Sequence, residues 1–97
     1  MDTESFVYIL ASTRNGTLYV GSTHDLIRRV WEHKIDAVEG FTARYSVHLL
    51  VYFEIHQNYA TALARERQMK KWKRAWKISL IESNNPGWRD LYPEITG

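Results

Sequence analysis

The chain contains no cysteine, only two prolines and five glycines, and nothing approaching the unbroken apolar run of a membrane span. The missing cysteines exclude disulfides and thiolate-ligated zinc, which suits a reducing compartment. The opening MDTESFVYILAS is acidic, and its apolar run is too short for a secretory signal or a bilayer span. A soluble cytoplasmic protein without membrane association is therefore expected. With 97 residues, one domain over 1–97 with a core of about 6–92 is expected, burying roughly 60–65% of its unfolded surface.

Net charge is also small, at +2, but unevenly placed. Residues 65–77, RERQMKKWKRAWK, carry seven Lys or Arg against the single acid Glu66. Arg65, Lys70, Lys71, Lys73 and Arg74 in this stripe, with tryptophans between them, suit a polyanion such as nucleic acid. The plainer alternative is a solvated helix face with Trp72 and Trp76 turned into the core.

FVYILAS and TLYVGS flank TRNG, whose Asn-Gly signals a hairpin. Ser22, Thr23 or Asp25 can cap a helix running to about Lys34. Residues 35–46, IDAVEGFTARYS, read as a loop, and VHLLVYFEI as a third strand, apolar enough to be central. Asn58 can cap a helix over about 59–71, and a further helix over about 73–83 ends before Asn85-Pro86-Gly87. The order β-β-α-β-α-α gives an α+β domain with a small three-stranded sheet.

Alternation along the strands and the four-residue loop, with Gly16 left-handed, pair Leu10 with Tyr19 and Tyr8 with Gly21. Tyr8 and Tyr19 then share a face, although packing aromatics would do the same. On the first helix Leu26, Ile27, Val30 and Trp31 form the apolar face, with Arg29 and His33 along its edge and Arg28 pointing to solvent. On the next long helix Tyr59, Ala62, Leu63 and Met69 form a stripe with Glu66 in its middle. A carboxylate there requires a cation partner, a metal or a wet cleft, unless it is a structural ion pair, for instance with Arg29. The adjacent Ser22, Thr23, His24 and Asp25 cannot converge as a hydrolase triad. His24, His48 and His56 lack metal-ligand spacing.

Taken together, FVY at 6–8, YVG at 19–21, Arg29, His33, ARERQMKKW around Glu66 and the NPGWRDLY ending resemble the GIY-YIG nuclease superfamily, in particular its small stand-alone bacterial branch. The resemblance runs from about Phe6 to Tyr92. In the first motif Phe6-Val7 replaces Gly-Ile, and Tyr8 is retained. The resemblance implies a three-stranded antiparallel sheet flanked by helices and metal-dependent cleavage of a DNA phosphodiester, in repair or processing. It assigns Tyr8 and Tyr19 to the motif tyrosines, Arg29 to the catalytic arginine, His33 to the position one turn later and Glu66 to the metal ligand. For the last element, an asparagine, Asn85 is preferred over Asn84. One divalent ion is implied, Mg²⁺ or alternatively Mn²⁺, held through the Glu66 carboxylate, the rest of its shell being water and phosphate.

Such hydrolysis needs an in-line water and stabilisation of the charge that develops on phosphate and leaving group. Arg29 suits a non-bridging oxygen, and by resemblance Tyr8 is the base, with Tyr19 and His33 positioning water or relaying its proton. A phenol near pKa 10 needs roughly 4 kcal/mol of help to act as a base at neutral pH. Two other readings stand beside the nuclease: a non-catalytic nucleic-acid-binding module on the same scaffold, and an interaction protein whose Glu66 is merely salt-bridged. No protein partner is indicated.

Overall fold

The computed structural model describes residues 4–97. Its elements in chain order are β1 (Ser5–Ala11), β2 (Leu18–Thr23), α1 (Leu26–Lys34), α2 (Phe41–Arg44), β3 (Leu49–His56), α3 (Tyr59–Lys70), α4 (Arg74–Asn84) and α5 (Tyr92–Thr96). The strands form one antiparallel sheet in the order β2-β1-β3. The α+β class and three-stranded sheet match the sequence expectation, with two short helices, α2 and α5, added.

The hairpin has the expected register, Leu10 opposite Tyr19 and Tyr8 opposite Gly21. Its tight turn is closed by the Gly16 amide donating to the Thr13 carbonyl at 2.9 Å. Asn15, at φ 58°, takes the left-handed conformation expected of Gly16. Asparagine tolerates that region well enough to free the glycine for another task. A side chain at Gly16 would meet Ser12 Oγ at 2.3 Å, and that hydroxyl accepts from the Thr17 amide.

The central strand is β1, not the third strand. Val7, Ile9, Leu10 and Ala11 have no exposed surface. Alternation sends Val7, Ile9 and Ala11 to one face, against Ala62 and Met69 of α3 and Ile81 of α4. Tyr8 and Leu10 go to the other, against Leu26 and Val30 of α1, with Tyr92 and Ile95 of α5 alongside. The third strand reads as central because both its faces are covered, Leu50 packing with Leu10 on the α1 side and Val51 with Ile9 on the α3 side. Its outer edge is covered by the C-terminal segment: the Leu91 amide donates to the Leu50 carbonyl at 2.7 Å, and Asp90 Oδ1 accepts from the Leu50 amide at 3.1 Å.

Caps follow the side-chain chemistry. Asp25 accepts from the Arg28 amide at the start of α1, and Asn58 from the Thr61 amide at the start of α3. Among the described residues no helix is long and apolar enough to cross a membrane.

Candidate active site

Tyr8 and Tyr19 lie on the α1 side of the sheet with ring centroids 6.3 Å apart. Gly21, directly opposite Tyr8, makes room for the ring. A Cβ there would fall 2.5 Å from Tyr8 Oη, 2.6 Å from Cζ and 3.0 Å from Tyr19 Cε2. The glycine of YVG is thus a seat for a phenol rather than a flexible joint.

Opposite these rings, α1 buries Leu26, Val30 and His33. This corrects the expected face, since Ile27 and Trp31 are 46% and 51% exposed. The helix is turned because the sheet presents two phenols and needs a polar partner as well as apolar bulk. His33, expected at the rim, is 1% exposed and supplies that partner. Its Nε2 is 3.1 Å from Tyr8 Oη and its Nδ1 2.9 Å from Thr42 Oγ1. Its ring centroid is 6.0 Å from that of Tyr8 and 5.4 Å from that of Tyr19.

The two bonds assign the His33 tautomer. Among the described residues Tyr8 Oη and Thr42 Oγ1 have no other hydrogen-bond partner, so one hydroxyl hydrogen is spent on the imidazole and the other is not. The phenol is the stronger donor, and leaving it unbonded in the interior costs about 1–3 kcal/mol. Tyr8 therefore donates to Nε2, and Nδ1–H donates to Thr42. Burial, with the nearby Arg29 cation, holds His33 below its usual pKa, so the imidazole is neutral. Burial first, then Tyr19, and further the Glu66 and Glu32 carboxylates push the Tyr8 phenol well above its usual value, while Arg29 pulls the other way.

Arg29 is at the rim, its side chain 44% exposed and its Nε 3.8 Å from Glu32 Oε1. It borders an open cleft of about 460 Å³ with Ser22, Thr23, His24 and Tyr59. Arg28 faces solvent as expected and pairs with Glu32 at 3.2 Å.

Glu66 belongs to α3, which packs on the other side of the sheet from the tyrosines. It comes to the site round an edge. Because β2 is an outer strand and Ser22 points to the α3 side, the Ser22 hydroxyl donates to Glu66 Oε1 while also lining the cleft. One turn on, Lys70 Nζ sits 2.6 Å from Glu66 Oε2 and 5.7 Å above the Tyr19 ring. Lys70, not Arg29, is thus the cation partner of the carboxylate, whose side chain keeps 14% exposure.

A small hard cation fits this donor set in one respect: it accepts a single carboxylate when water and phosphate complete its shell. Among the described residues no three His, Asp or Glu converge as a closed metal cage. Glu66, with the Ser22 hydroxyl beside it, is the donor available, and a cation there would take the place that Lys70, its side chain 48% exposed, holds at Oε2.

The structure does not bring Asn85 into this cluster. Asn85 is 2% exposed, donates to the Val51 and Arg89 carbonyls at 3.1 and 2.9 Å and accepts from the Arg89 amide. It fastens the segment after α4 to β3. Asn84 donates to the Leu80 carbonyl. In the basic stripe, Arg65 is bound to Glu54 at 2.9 Å and lies 5.0 Å over Trp72. Arg74 donates to the carbonyls of Asn15 and Gly16. Both therefore hold the fold, whereas Lys71 and Lys73 are exposed. Trp72 packs on the core as the plainer reading expected, but Trp76 is 56% exposed.

Sequence reading missed Thr42, Gly21 and Ser22. Thr42 sits in a stretch read as loop, and its only signal is the preceding Gly40, at φ 107° the entry to α2. Gly21 and Ser22 become legible once the register is known, since parity puts one under Tyr8 and the other beside Glu66.

A family model described as the GIY-YIG catalytic domain matches residues 4–79. A UPF0213 protein of Clostridium perfringens is 35% identical over 81 residues, covering 84% of this chain and 86% of the relative. A UPF0213 protein of Haloquadratum walsbyi is 34% identical over 82 residues, covering 84% and 91%. The solution NMR structure of a UPF0213 protein from Bacillus halodurans superposes with a TM-score of 0.56 at 24% identity, over 91% of this chain and 93% of that one, and so shares the fold.

Proposed function

The chain belongs to the GIY-YIG catalytic domain family, and from that premise we propose that it is a metal-dependent endonuclease that hydrolyses DNA phosphodiesters, selecting by substrate shape more than by sequence. The observation that carries this is the convergence of Tyr8, Tyr19 and His33, from three separate elements, at centroid separations of 5.4–6.3 Å. Arg29 and Glu66 are close enough to act electrostatically on the same phenol.

In this reading the phosphate enters the cleft beside Arg29, whose fork grips a non-bridging oxygen and counters the charge that builds in the transition state. Water attacks phosphorus as the P–O3′ bond breaks, and the 3′ oxygen leaves with the bonding pair and takes its proton from solvent water. Its proton passes to Tyr8 Oη while the Tyr8 proton passes to His33 Nε2, so no free phenolate is required in a site that disfavours one. His33 is the net base, Tyr8 the relay, and Thr42 receives the Nδ1–H of the resulting imidazolium. A divalent ion, Mg²⁺ or Mn²⁺, would be held by Glu66 and would supply charge stabilisation at the leaving 3′ oxygen. Nicks, flaps or branches met in DNA repair or processing are the substrates this small site suits.

A non-catalytic nucleic-acid-binding module is the competing reading, and the Lys70–Glu66 pair favours it by neutralising the carboxylate in advance. Incubation with supercoiled, branched and single-stranded DNA, with and without Mg²⁺, beside Tyr8→Phe, Arg29→Ala and Glu66→Gln, decides between them. Mg²⁺-dependent strand cleavage lost in all three variants is expected. Binding without cleavage by wild type on every substrate would remove the nuclease.

A further inference from the structure

We propose that Lys70, Tyr19, Phe41, Tyr45 and Arg44 form one track for single-stranded nucleic acid, leading from solvent into the candidate active site. It rests on the nucleic-acid reading above and adds the strandedness of the segment beside the cut. The five side chains form an unbroken chain of contacts. Lys70 Nζ is 5.7 Å over the Tyr19 ring, which stacks on Phe41 at 6.3 Å and an interplanar angle of 30°. Phe41 lies 4.9 Å from Tyr45, and Arg44 is 5.5 Å over the Tyr45 ring.

Phe41 and Tyr45 are 47% and 46% exposed. A row of rings with a cation at each end is what unpaired strands select, because bases offer their faces to the rings and phosphates their charge to the cations. A duplex hides the faces of its bases and has no use for rings. The neighbouring rings stand too close to admit a base between them, so bases stack on their open sides. Lys70 keeps two N–H donors beyond its bond to Glu66.

The track is also tied to the site through α2. Gly40 and Ser46, at φ 107° and 54°, bracket α2, and Thr42 between them is locked to His33. The helix that presents Phe41 thus also holds the His33 imidazole, so a base stacked on the track lies beside the proposed chemistry.

The test is fluorescence anisotropy in chelator, which prevents cleavage, with labelled oligothymidylate and a blunt hairpin duplex of equal nucleotide count. Phe41→Ala and Tyr45→Ala should each weaken oligothymidylate binding about 5- to 100-fold, the loss of one base–aromatic stack, and leave the duplex unchanged. Tyr45→Phe should bind like wild type, and Arg44→Ala should lower the salt slope on the single strand by about 0.7. Equal losses on both probes, or none, would overturn the track, and unchanged oligothymidylate binding by Phe41→Ala would reassign the rings to a protein partner. Wild type that binds neither probe would instead sink the nucleic-acid reading, and the track with it.

Discussion

Replacing Gly21 by alanine tests the packing of the site at a single atom. The new methyl would lie 2.5 Å from Tyr8 Oη and 2.6 Å from Cζ, where non-bonded carbons prefer about 3.5–4.0 Å. Tyr8, 2% exposed and bonded to His33 at 3.1 Å, must move by about 1 Å to relieve this. Overpacking of that kind costs about 1–3 kcal/mol, and the strained or broken hydrogen bond adds about 1 kcal/mol. The lower entropy of the unfolded chain returns about 0.4–1 kcal/mol. The net loss is thus about 1–3 kcal/mol, which at a urea m value of about 1–3 kcal/mol/M lowers the midpoint by on the order of 1 M. Gly87, with nothing within 4 Å of its Cβ position, is the control and should tolerate alanine without loss. A Tyr8→Ala background, which removes the nearer ring and leaves only Tyr19 Cε2 at 3.0 Å, should remove most of the cost of Gly21→Ala. An identical cost with and without the ring, or a wild-type midpoint for Gly21→Ala, would refute the account of Gly21 as the seat of the phenol.

Thr42→Val should reduce cleavage about tenfold or more and shift the His33 ¹⁵N resonances away from the Nδ1–H pattern, with Thr42→Ser restoring both. His33 has its folded pKa lowered by burial and Arg29, so unfolding takes up a proton. Stability conferred by the neutral imidazole is therefore present above pH 6.5 and declines as pH falls below it, a slope that His33→Gln should flatten in melting curves. Arg65→Ala should destabilise by about 1 kcal/mol, discounted for partial exposure, because Glu54 loses its cation. Lys71→Ala should leave the melting temperature unchanged and weaken DNA binding in a salt-dependent way.

How far the sequence speaks for the site depends on how local each cause is. The Tyr8–Tyr19 pairing was legible because the loop length and strand parity fix it between residues close in the chain. The Asn58 cap is legible for the same reason, whereas Asp25 is one of three candidates with Ser22 and Thr23, and the structure selects it. The central strand was not, since β1 and β3 are both apolar and only pairing across long separations sorts them. Helix α1 misled the apolarity count because its burial is decided by what faces it: His33 goes inward to meet Tyr8 and Thr42, leaving Trp31 outside. Glu66 stands out in the sequence as an acid among apolar residues, but its partners, Ser22 and Lys70, depend on β2 being an outer strand. Helix α2 was invisible because four residues give no periodicity.

That outer strand has a consequence for how the protein lives and fails. The acid and the phenols are carried by separate layers and are linked over the rim of β2 through Lys70, so the proposed reaction needs both layers in place. Because α3 also buries Ala62 and Met69 against the sheet, loosening it would withdraw Glu66 and Lys70 and open that core in one event, so the place of the acid and the stability of the fold are tied together.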